Sequence, residues 1–337
     1  MVWAVGLTLP VVLCSLGLTA VCLLALLAWL VSGRTTGRAV EGKGRAVLVT
    51  GCDTGFGHLL AQQLDELGFH VFAGCLSTQG PGAQTLAQTC SSKLRVFKMD
   101  VTRDEDVAAA KEYVLSNLPQ KGLWAIVNNA GITAWGEVEW NTLESYQRLV
   151  DVNLWGSVRT TKAFLPLLRE SKGRIVFMSS ISATIHSKGT SMYAITKSGI
   201  EAFARCLTHE MKRFGVNVSI VQPGNFSRAT NILQEPTFEE VWNKLSDMVK
   251  ESYGKDCVQN YIHGIRYALS HANKNATDVT NIIIEALMSP KPKIRYCVTS
   301  VPESIVLFIC NHFLSWDLYF LFNYIEGQIN KACTSQN

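Results

Sequence analysis

Short apolar runs alternate with longer amphipathic segments along the middle of the chain. The runs lie at 45–50, 70–75, 94–99, 123–127, 175–178 and 216–221, and their length and composition are those of buried strands. Helical patterns lie between several of them, at 58–67, 104–118 and 143–170, the last divided into two helices that meet near Asn153. Strands that alternate with helices in this way predict an α/β fold with a doubly wound parallel sheet.

The pattern becomes almost entirely helical after the strand at 216–221. Apolar periodicity predicts helices at 238–249, 258–270 and 278–288, followed by a last strand at 294–299. Ligands of open α/β sheets bind outside the carboxyl ends of the strands, where this insertion begins. We therefore expect one domain at 45–300, in which residues 234–290 form a helical substrate lid.

The N-terminal end of the chain is strongly apolar. Residues 1–33 carry no charged side chain. At about 1.5 Å per residue, the apolar run at 11–31 is long enough to cross a hydrocarbon core of about 30 Å. A cleaved signal peptide is disfavoured because no basic residue precedes this run. Residues 1–33 are therefore predicted to be a single transmembrane anchor and 34–44 a short linker, whose basic residues favour a cytosolic catalytic domain.

Residues 301–337 form a second apolar segment, which polar residues interrupt. Asn311, His312 and Asp317 fall within the apolar stretch at 304–325. A helix that lies on a membrane or covers a pocket fits this pattern better than a second spanning helix.

Composition and residue spacing argue against several kinds of site. The formal net charge is only +4 and no long basic run is present, so nucleic acid is not an expected ligand. The ten cysteines show neither a Cys-x-x-Cys pair nor a Cys/His spacing typical of zinc. We therefore predict no disulfide framework and no metal site.

A glycine-rich turn connects the first predicted strand to the first helix. Gly51, Gly55 and Gly57 lie in this turn, where the backbone can approach a pyrophosphate and the helix N-terminus favours its negative charge. The turn therefore predicts a dinucleotide site. The second strand ends in Cys75, whereas a dinucleotide-binding fold often has an acid there to bond the ribose hydroxyls. The spacing alone thus leaves the identity of the cofactor open.

Ser180, Tyr193 and Lys197 follow the predicted strand at 175–178. The i, i+4 spacing places Tyr193 and Lys197 on one face of a helix, and Ser180 comes at the end of the strand. At about 4 Å, the lysine ammonium would stabilise a tyrosinate by about 1–4 kcal/mol, or about one to three units of the tyrosine pKa. Tyr193 is therefore a candidate acid/base, with Ser180 holding the substrate oxygen.

Taken in order, these motifs resemble the short-chain dehydrogenase/reductase superfamily over about 45–300. Residues 50–57, 122–124 and 164–168 are similar to a membrane-linked branch whose members act on hydroxysteroids, retinol or D-3-hydroxybutyrate. The resemblance implies a Rossmann-type, seven-stranded parallel sheet with helices on both faces. The motifs that carry it are Thr50-Gly51-x-x-x-Gly55-x-Gly57, Asn128-Asn129-Ala130-Gly131, Asn153, Ser180, Tyr193-x-x-x-Lys197 and Pro223-Gly224.

The resemblance also implies the catalytic residues, the cofactor and the assembly. Ser180, Tyr193 and Lys197 would be catalytic together with Asn153, which would position Lys197 through a water. NAD is expected rather than NADP, because this branch mostly oxidises alcohols with NAD. A homo-oligomer that associates through the helices bearing Asn153 and Tyr193 is expected as well. The cofactor-binding residues would be Gly51, Asp53, Thr54, Gly55, Phe56, Gly57, Asp100, Val101, Asn128, Ala130, Gly131, Tyr193, Lys197, Pro223 and Gly224.

Three functions are consistent with these residues. The expected one is NAD-dependent interconversion of a secondary alcohol and a ketone, or of retinol and retinal, on a lipophilic substrate such as a 17β-hydroxysteroid or a retinoid. We expect this enzyme in the endoplasmic reticulum membrane, with the mitochondrial membrane as the alternative. Oxidation of D-3-hydroxybutyrate is the second function, and its carboxylate would need a clamp, for which His186, Lys188 and Gln222 are candidates. The third is a catalytically silent binding protein, against which the intact Ser/Tyr/Lys set argues.

Overall fold

The computed structural model describes residues 39–313, with side chains placed as far as Asn311. The chain divides into two compact units. Residues 41–288 and 292–313 belong to the larger unit, whose fold is given below, and of the second unit the structure describes only residues 39, 40 and 289–291. The predicted anchor at 1–33 and the chain beyond 313 lie outside the described residues. Between residues 39 and 313, no helix is long and apolar enough to cross a membrane.

Seven strands of the described chain form one parallel sheet in the order β3-β2-β1-β4-β5-β6-β7, which confirms the predicted sheet. β1 and β4 are buried at every position, as expected for central strands whose two faces are both covered. The strand order reverses between β1 and β4, which is the place where open α/β sheets bind ligands. The strands are β1 (Ala46–Thr50), β2 (His70–Cys75), β3 (Leu94–Lys98), β4 (Leu123–Asn128), β5 (Arg174–Met178), β6 (Asn217–Pro223) and β7 (Arg295–Val298).

Helices cover both faces of the sheet, as predicted. On one face, Val107 of α3, Phe164 of α5 and Ile200 of α6 belong to one buried apolar cluster with Leu48 of β1. α1 and α9 pack against each other, and α9 also contacts β5, β6 and β7. The α-helices of the described chain are α1 (Gly55–Glu66), α2 (Pro81–Thr89), α3 (Asp104–Ser116), α4 (Leu143–Val150), α5 (Gly156–Ser171), α6 (Ser191–Met211), α7 (Phe238–Trp242), α8 (Asp247–Ser270), α9 (Ala276–Met288) and α10 (Val301–Phe313).

Two helical regions differ from the sequence-based expectation. α2 was not predicted, because it is short and buries only Ala83 and Leu86 among its apolar side chains. The single helix expected at 238–249 is divided between α7 and α8, because Ser246 caps the start of α8 with a hydrogen bond from Val249 N–H. The two helices expected to meet near Asn153 are joined by a π-helical turn, Asp151–Trp155.

The predicted lid contains helices with different neighbours. α9 packs on α1 and the sheet, and its Leu287 carbonyl accepts a hydrogen bond of 3.1 Å from Trp124 Nε1. Residues of α8 instead line the cavity described below. A lid function for 234–290 therefore stays a prediction, as does the membrane or pocket contact of residues 301–337, of which the structure describes α10.

Candidate active site

A large cavity lies at the carboxyl edge of the sheet, where the strand order reverses. Its volume is about 1730 Å³, and residues that follow β1, β2, β3, β4, β5 and β6 line it. Cavities that bind one drug-sized molecule usually measure about 300–1000 Å³. This cavity is therefore large enough for a dinucleotide together with a substrate.

The glycine turn between β1 and α1 forms one wall of the cavity. Gly51 and Gly55 have φ angles of +71° and +63°, in the left-handed region that favours glycine. A Cβ at Gly57 would lie 2.3 Å from the Gly51 carbonyl oxygen, and a Cβ at Gly51 would lie 2.8 Å from Ala130 Cα. The turn thus needs glycine and exposes bare backbone at the start of α1, which fits a dinucleotide pyrophosphate.

Asn128 and Asn129, at the end of β4, have different surroundings. The Asn129 side-chain amide donates to the carbonyl oxygens of Thr50 and Gly51 at 2.9 and 3.1 Å, and so braces the glycine turn. Asn128 is buried beneath the cavity, and its Nδ2 donates to Thr161 Oγ1 at 3.1 Å. Its Oδ1 has no hydrogen-bond partner among the described residues. The sequence predicts Asn128 rather than Asn129 as a site residue, because the bracing role of Asn129 depends on contacts with a distant turn.

Two carboxylates line the cavity beside the ends of β2 and β3. Asp100 Oδ1 accepts hydrogen bonds from the backbone N–H and hydroxyl of Thr102, at 2.9 and 2.8 Å. Asp53 Oδ2 accepts from the Leu76 N–H at 3.0 Å, although Asp53 belongs to the turn after β1. An acid therefore lies at the end of β2 after all, although none follows that strand in the sequence.

Ser180, Tyr193 and Lys197 come together on the cavity wall. The Ser180 hydroxyl accepts a hydrogen bond of 3.2 Å from the Ser182 N–H and donates one of 3.3 Å to Ser182 Oγ, and its interaction with the Tyr193 phenol lowers the pKa of that phenol. Lys197 Nζ donates to the carbonyl oxygen of Met178 at 2.8 Å and lies 5.3 Å from the centre of the Tyr193 ring. The buried face of α6 therefore lies against the end of β5, which brings the tyrosine and the lysine to the serine.

Burial shifts the pKa values of Tyr193 and Lys197 towards their neutral forms. It raises the pKa of Tyr193 to about 12, although the interaction with Ser180 opposes this rise. It lowers the pKa of Lys197 to about 8. Desolvation of the phenol thus opposes the lowering of the tyrosine pKa that is expected from Lys197, whose ammonium bonds to the Met178 carbonyl.

Asn153 lies behind the cavity wall and is fully buried. Its side chain exchanges two hydrogen bonds with the Ile132 backbone, at 2.8 and 2.9 Å, and Nδ2 also donates to Thr196 Oγ1 at 3.1 Å. A Cβ at Gly131 would lie 3.3 Å from Asn153 Oδ1 and 3.8 Å from Lys197 Nζ, so glycine leaves space between these two groups. A water-mediated role for Asn153 in positioning Lys197 stays a prediction.

Three segments meet at another wall of the cavity. The Gly136 N–H donates to the Gly189 carbonyl at 2.8 Å, and the carboxylate of Glu137 pairs with Lys188 Nζ at 2.9 Å. Tyr261, on α8, would be 3.7 Å from a Cβ at Gly189. This wall therefore depends on contacts among segments that are distant in the sequence, and the spacing of residues carried no signal for Tyr261.

The three residues considered as a carboxylate clamp have different environments. Lys188 lines the cavity, but Glu137 already neutralises it. His186 is exposed and does not line the cavity. Gln222 is fully buried, and its Nε2 donates to Glu201 Oε1 at 3.1 Å. The structure therefore does not assemble these three side chains around one ligand.

The sequence-predicted site residues are mostly brought together. Gly57, Asn128 and Asn153 lie behind the wall rather than on it. Asn129, Thr133, Trp135 and Tyr261 line the cavity without having been predicted as site residues. The predicted residues that line it are Gly51, Asp53, Thr54, Gly55, Phe56, Asp100, Val101, Ala130, Gly131, Ser180, Tyr193, Lys197, Pro223 and Gly224.

Comparisons with known proteins agree with this architecture. Mitochondrial D-beta-hydroxybutyrate dehydrogenase of Rattus norvegicus is 42% identical over 269 residues, which cover 77% of this chain and 78% of that protein. Estradiol 17-beta-dehydrogenase 2 of Rattus norvegicus is 37% identical over 294 residues, or 85% of this chain and 76% of that protein. A short-chain dehydrogenase/reductase of Burkholderia phymatum, solved in complex with NAD, has a similar fold, with a TM-score of 0.65, 18% identity and coverage of 80% of this chain and 93% of that one.

A family model described as short chain dehydrogenase matches residues 45–239, more than half of the chain. The matched range contains the glycine turn, Ser180, Tyr193 and Lys197. Together with the identity to two named dehydrogenases over most of the chain, this match shows the family. The protein is therefore an oxidoreductase that belongs to the short-chain dehydrogenase/reductase family.

Proposed function

We propose that this protein is a membrane-anchored, NAD-dependent dehydrogenase that interconverts a secondary alcohol and a ketone, or retinol and retinal, on a lipophilic substrate. A hydroxysteroid of the 17β type or a retinoid is the preferred substrate class. The observation that carries the proposal is the meeting of Ser180, Tyr193 and Lys197 on the wall of a cavity that also contains the glycine turn. One half of the site thus suits a dinucleotide and the other suits proton transfer.

The proposed roles of the catalytic residues follow from these contacts. During oxidation, Tyr193 as tyrosinate accepts the hydroxyl proton of the alcohol, while Ser180 donates a hydrogen bond to the same oxygen and orients it. NAD, when bound, would accept the hydride that leaves the substrate carbon. Lys197, whose pKa is about 8, stays mostly protonated near neutral pH. With NAD bound, its ammonium and the positive nicotinamide ring would together favour the tyrosinate against the burial that raises the pKa of the phenol. Reduction follows the same steps in reverse, with Tyr193 as the acid.

The residues present fit a nicotinamide dinucleotide. Gly51 and Gly55, which line the cavity, leave the backbone open to a pyrophosphate, and Gly57 behind them lets the turn pack closely on the Gly51 carbonyl. In the lining, the glycine turn and the residues that directly follow β2 and β3 contribute the carboxylates of Asp53 and Asp100 but no lysine or arginine, since Arg148 belongs to α4. A 2′-phosphate would have no cationic partner there, which supports NAD over NADP.

The cavity wall supports a lipophilic substrate. Of the clamp candidates, Lys188 alone lines the cavity, and its charge is balanced by Glu137 at 2.9 Å. A small carboxylate would have to compete with Glu137 for this ammonium. An uncharged substrate would instead gain from the apolar residues of the lining, which include Ile132, Trp135, Ile181, Ile232, Leu233, Tyr261 and Ile265.

Oxidation of D-3-hydroxybutyrate is the second candidate function. The observation that favours it is the 42% identity to D-beta-hydroxybutyrate dehydrogenase, which exceeds the 37% identity to estradiol 17-beta-dehydrogenase 2. A catalytically silent binding protein is a distant third candidate. The meeting of Ser180, Tyr193 and Lys197 on one wall of the cavity argues against it.

Membrane attachment and self-association complete the proposal. Residues 1–33 would anchor the enzyme in the endoplasmic reticulum membrane, with the catalytic domain in the cytosol, and the mitochondrial membrane is the alternative. Trp155 and Ile195, from the segments that carry Asn153 and Tyr193, are exposed large apolar side chains, which supports a homo-oligomer formed through these helices. Light scattering of the detergent-solubilised protein would measure its mass.

Turnover by purified membranes tests the proposal. Membranes that contain the full chain are given NAD with estradiol, retinol or D-3-hydroxybutyrate, and NADH formation is followed, with Tyr193→Phe membranes as the control. We expect turnover of estradiol or retinol by the unchanged protein. Preferred turnover of D-3-hydroxybutyrate would replace the lipophilic substrate class with the second candidate. Binding of NAD without turnover of a broad panel of alcohols would favour the silent protein.

A further inference from the structure

The chain after β2 contains no acid that could bond the ribose of a dinucleotide. β2 ends at Cys75, and Leu76, Ser77, Thr78 and Gln79 follow it. In dinucleotide-binding folds, an acid at this place bonds the ribose hydroxyls of NAD, whereas an arginine nearby accommodates the phosphate of NADP. The residues at the end of this strand therefore predict neither NAD nor NADP.

Asp53 provides a carboxylate at this place from another loop. Its Oδ2 accepts a hydrogen bond from the Leu76 N–H at 3.0 Å, and its Oδ1 accepts from the Ser77 N–H at 3.3 Å. Asp53 itself lines the cavity, as does Leu76. Two backbone donors therefore hold the carboxylate beside the residues that follow β2, and lone pairs remain on both oxygens for further donors.

The chain after β2 is packed tightly against the Asp53 backbone. A Cβ at Gly82, in the first turn of α2, would lie 1.9 Å from the Asp53 carbonyl oxygen. The turn before α2 is closed by a hydrogen bond of 3.3 Å from the Gly80 N–H to the Ser77 carbonyl. The position of the carboxylate is thus set by backbone contacts on both sides of it.

The charge of Asp53 acts on the end of β2. Burial first, and then this charge, raise the pKa of Cys75 to about 12. Among the lining residues that directly follow β2 and β3, the charged one is Asp100, also an acid. The nearby Lys98 ammonium lies outside the lining and pairs with Asp106 at 3.2 Å. The glycine turn and the residues that directly follow β2 and β3 therefore contribute acids but no cation to the described lining, in which Arg148 belongs to α4.

We propose that Asp53 is the residue that selects NAD over NADP, in place of the acid that β2 lacks. Its carboxylate accepts hydrogen bonds from the ribose hydroxyls of NAD and repels the 2′-phosphate of NADP. This inference rests on the proposed function in one respect, that the cavity binds a nicotinamide dinucleotide. It assigns to a residue of the glycine turn a choice that the end of β2 usually makes.

Equilibrium binding of the reduced cofactors tests this role without turnover. The dissociation constants of NADH and NADPH are measured by fluorescence for the full-length protein and for Asp53→Asn, with Asp53→Ser as a second variant. Asp65→Asn is the matched control, because Asp65 Oδ2 accepts a backbone N–H bond from Ser91 at 2.7 Å but does not line the cavity. All variants are first compared by thermal unfolding without cofactor.

We expect the unchanged protein to bind NADH at least about tenfold more tightly than NADPH. Repulsion between the Asp53 carboxylate and one unit charge of the 2′-phosphate at about 5 Å contributes on the order of 1–3 kcal/mol at intermediate dielectric constants. Asp53→Asn should reduce this preference about tenfold, mainly through tighter NADPH binding, whereas Asp65→Asn should leave it unchanged.

Three results would overturn the inference or its basis. An unchanged protein that binds both cofactors equally well refutes selection by Asp53, even if neither Asp53 variant folds. If a folded Asp53→Asn or Asp53→Ser variant keeps the preference for NADH over NADPH, the carboxylate only braces the loop and does not select the cofactor. If the unchanged protein binds neither cofactor, the proposed function fails instead.

Discussion

The ammonium of Lys197, on α6, donates a hydrogen bond of 2.8 Å to the carbonyl oxygen of Met178, the last residue of β5. This contact ties the helix that carries Tyr193 to the strand end that precedes Ser180. It also buries a charge, because Lys197 is only 4% exposed. The cost of that burial gives the folded protein a measurable dependence on pH.

Lys197 should make the protein more stable as the pH rises from about 8 to about 10.5. Its pKa is about 8 in the folded protein and near 10.5 when the chain is unfolded, so the unfolded chain binds more protons in this window. The free energy of unfolding should therefore increase with pH by up to about 3 kcal/mol, at about 1.36 kcal/mol per pKa unit. Below about pH 8 the cost of burying the charge is present in full.

Urea unfolding of the unchanged protein and of Lys197→Met, at several pH values between 7 and 10.5, isolates this contribution. Other groups that titrate in this range, such as Cys75, affect both proteins alike and cancel in the difference. If the free energy of unfolding changes with pH in the same way in both proteins, burial of Lys197 has no such cost.

Tyr193→Phe should reduce the turnover number by about 100-fold or more, because loss of general acid/base catalysis typically costs 10²–10⁴-fold. NADH affinity should stay within about threefold, since the phenyl ring still fills its site. Tyr146→Phe is the matched control. The Tyr146 hydroxyl forms a hydrogen bond of 2.7 Å with Oγ of Ser191, a residue of α6, but Tyr146 does not line the cavity. Equal activity of the two variants would remove Tyr193 from the acid/base role.

Two arginines bonded to the same buried carboxylate should differ in their contributions to stability. Glu201 is 4% exposed and bonds to Ser179 Oγ, Gln222 Nε2, Arg205 and Arg295. Arg295→Ala should lower the free energy of unfolding by about 2–4 kcal/mol, because it leaves a buried charge poorly paired.

Arg205→Ala should cost less than about 1 kcal/mol, because the Arg205 side chain is 61% exposed and its ion pair is solvated. Urea unfolding of both variants measures the difference. Equal losses would show that the burial of the arginine does not decide the strength of these pairs.

Gly57→Ala should disrupt the glycine turn and weaken dinucleotide binding by at least about tenfold. The added methyl group would lie 2.3 Å from the Gly51 carbonyl oxygen and 2.4 Å from Asn129 Nδ2, so the brace between the turn and β4 would have to move. Gly264→Ala, on α8, is the control for stability. Its Cβ would meet nothing within 4 Å, and alanine should stabilise the helix by about 0.5–1 kcal/mol.

Titration of Gly57→Ala with NADH, and thermal unfolding of both glycine variants, provide the comparison. Undiminished affinity in Gly57→Ala would mean that the turn tolerates a side chain and that the dinucleotide does not depend on its close packing.

The positions of most strands along the chain and the spacing of the catalytic trio were accessible from the sequence, because both depend on local patterns. A strand of consecutive buried residues, such as β1, has an apolar run that is visible without the fold. The i, i+4 spacing of Tyr193 and Lys197 likewise holds on any helix. α2 escaped prediction because its buried face is too short to produce a periodic pattern.

The remaining features depend on contacts between distant segments. Gln222 was a reasonable clamp candidate at a strand end, but its amide is buried against Glu201 of α6. Tyr261 lines the cavity because α8 folds over Gly189, a contact between residues 72 positions apart that no local pattern encodes. The Tyr193 pKa also departed from expectation, because the effect of burial exceeds that of the nearby lysine.

The sequence by itself determined the alternation of strands and helices, the glycine turn and the residues that carry the chemistry. Each of these features is recognised from residues that lie close together in the chain. Only the tertiary structure decided which groups face one another across the cavity. Asp53 and Leu76 belong to different loops, and they meet because β1 and β2 are parallel neighbours whose carboxyl ends lie side by side. Strand pairing, rather than sequence spacing, therefore placed an acid where β2 has none.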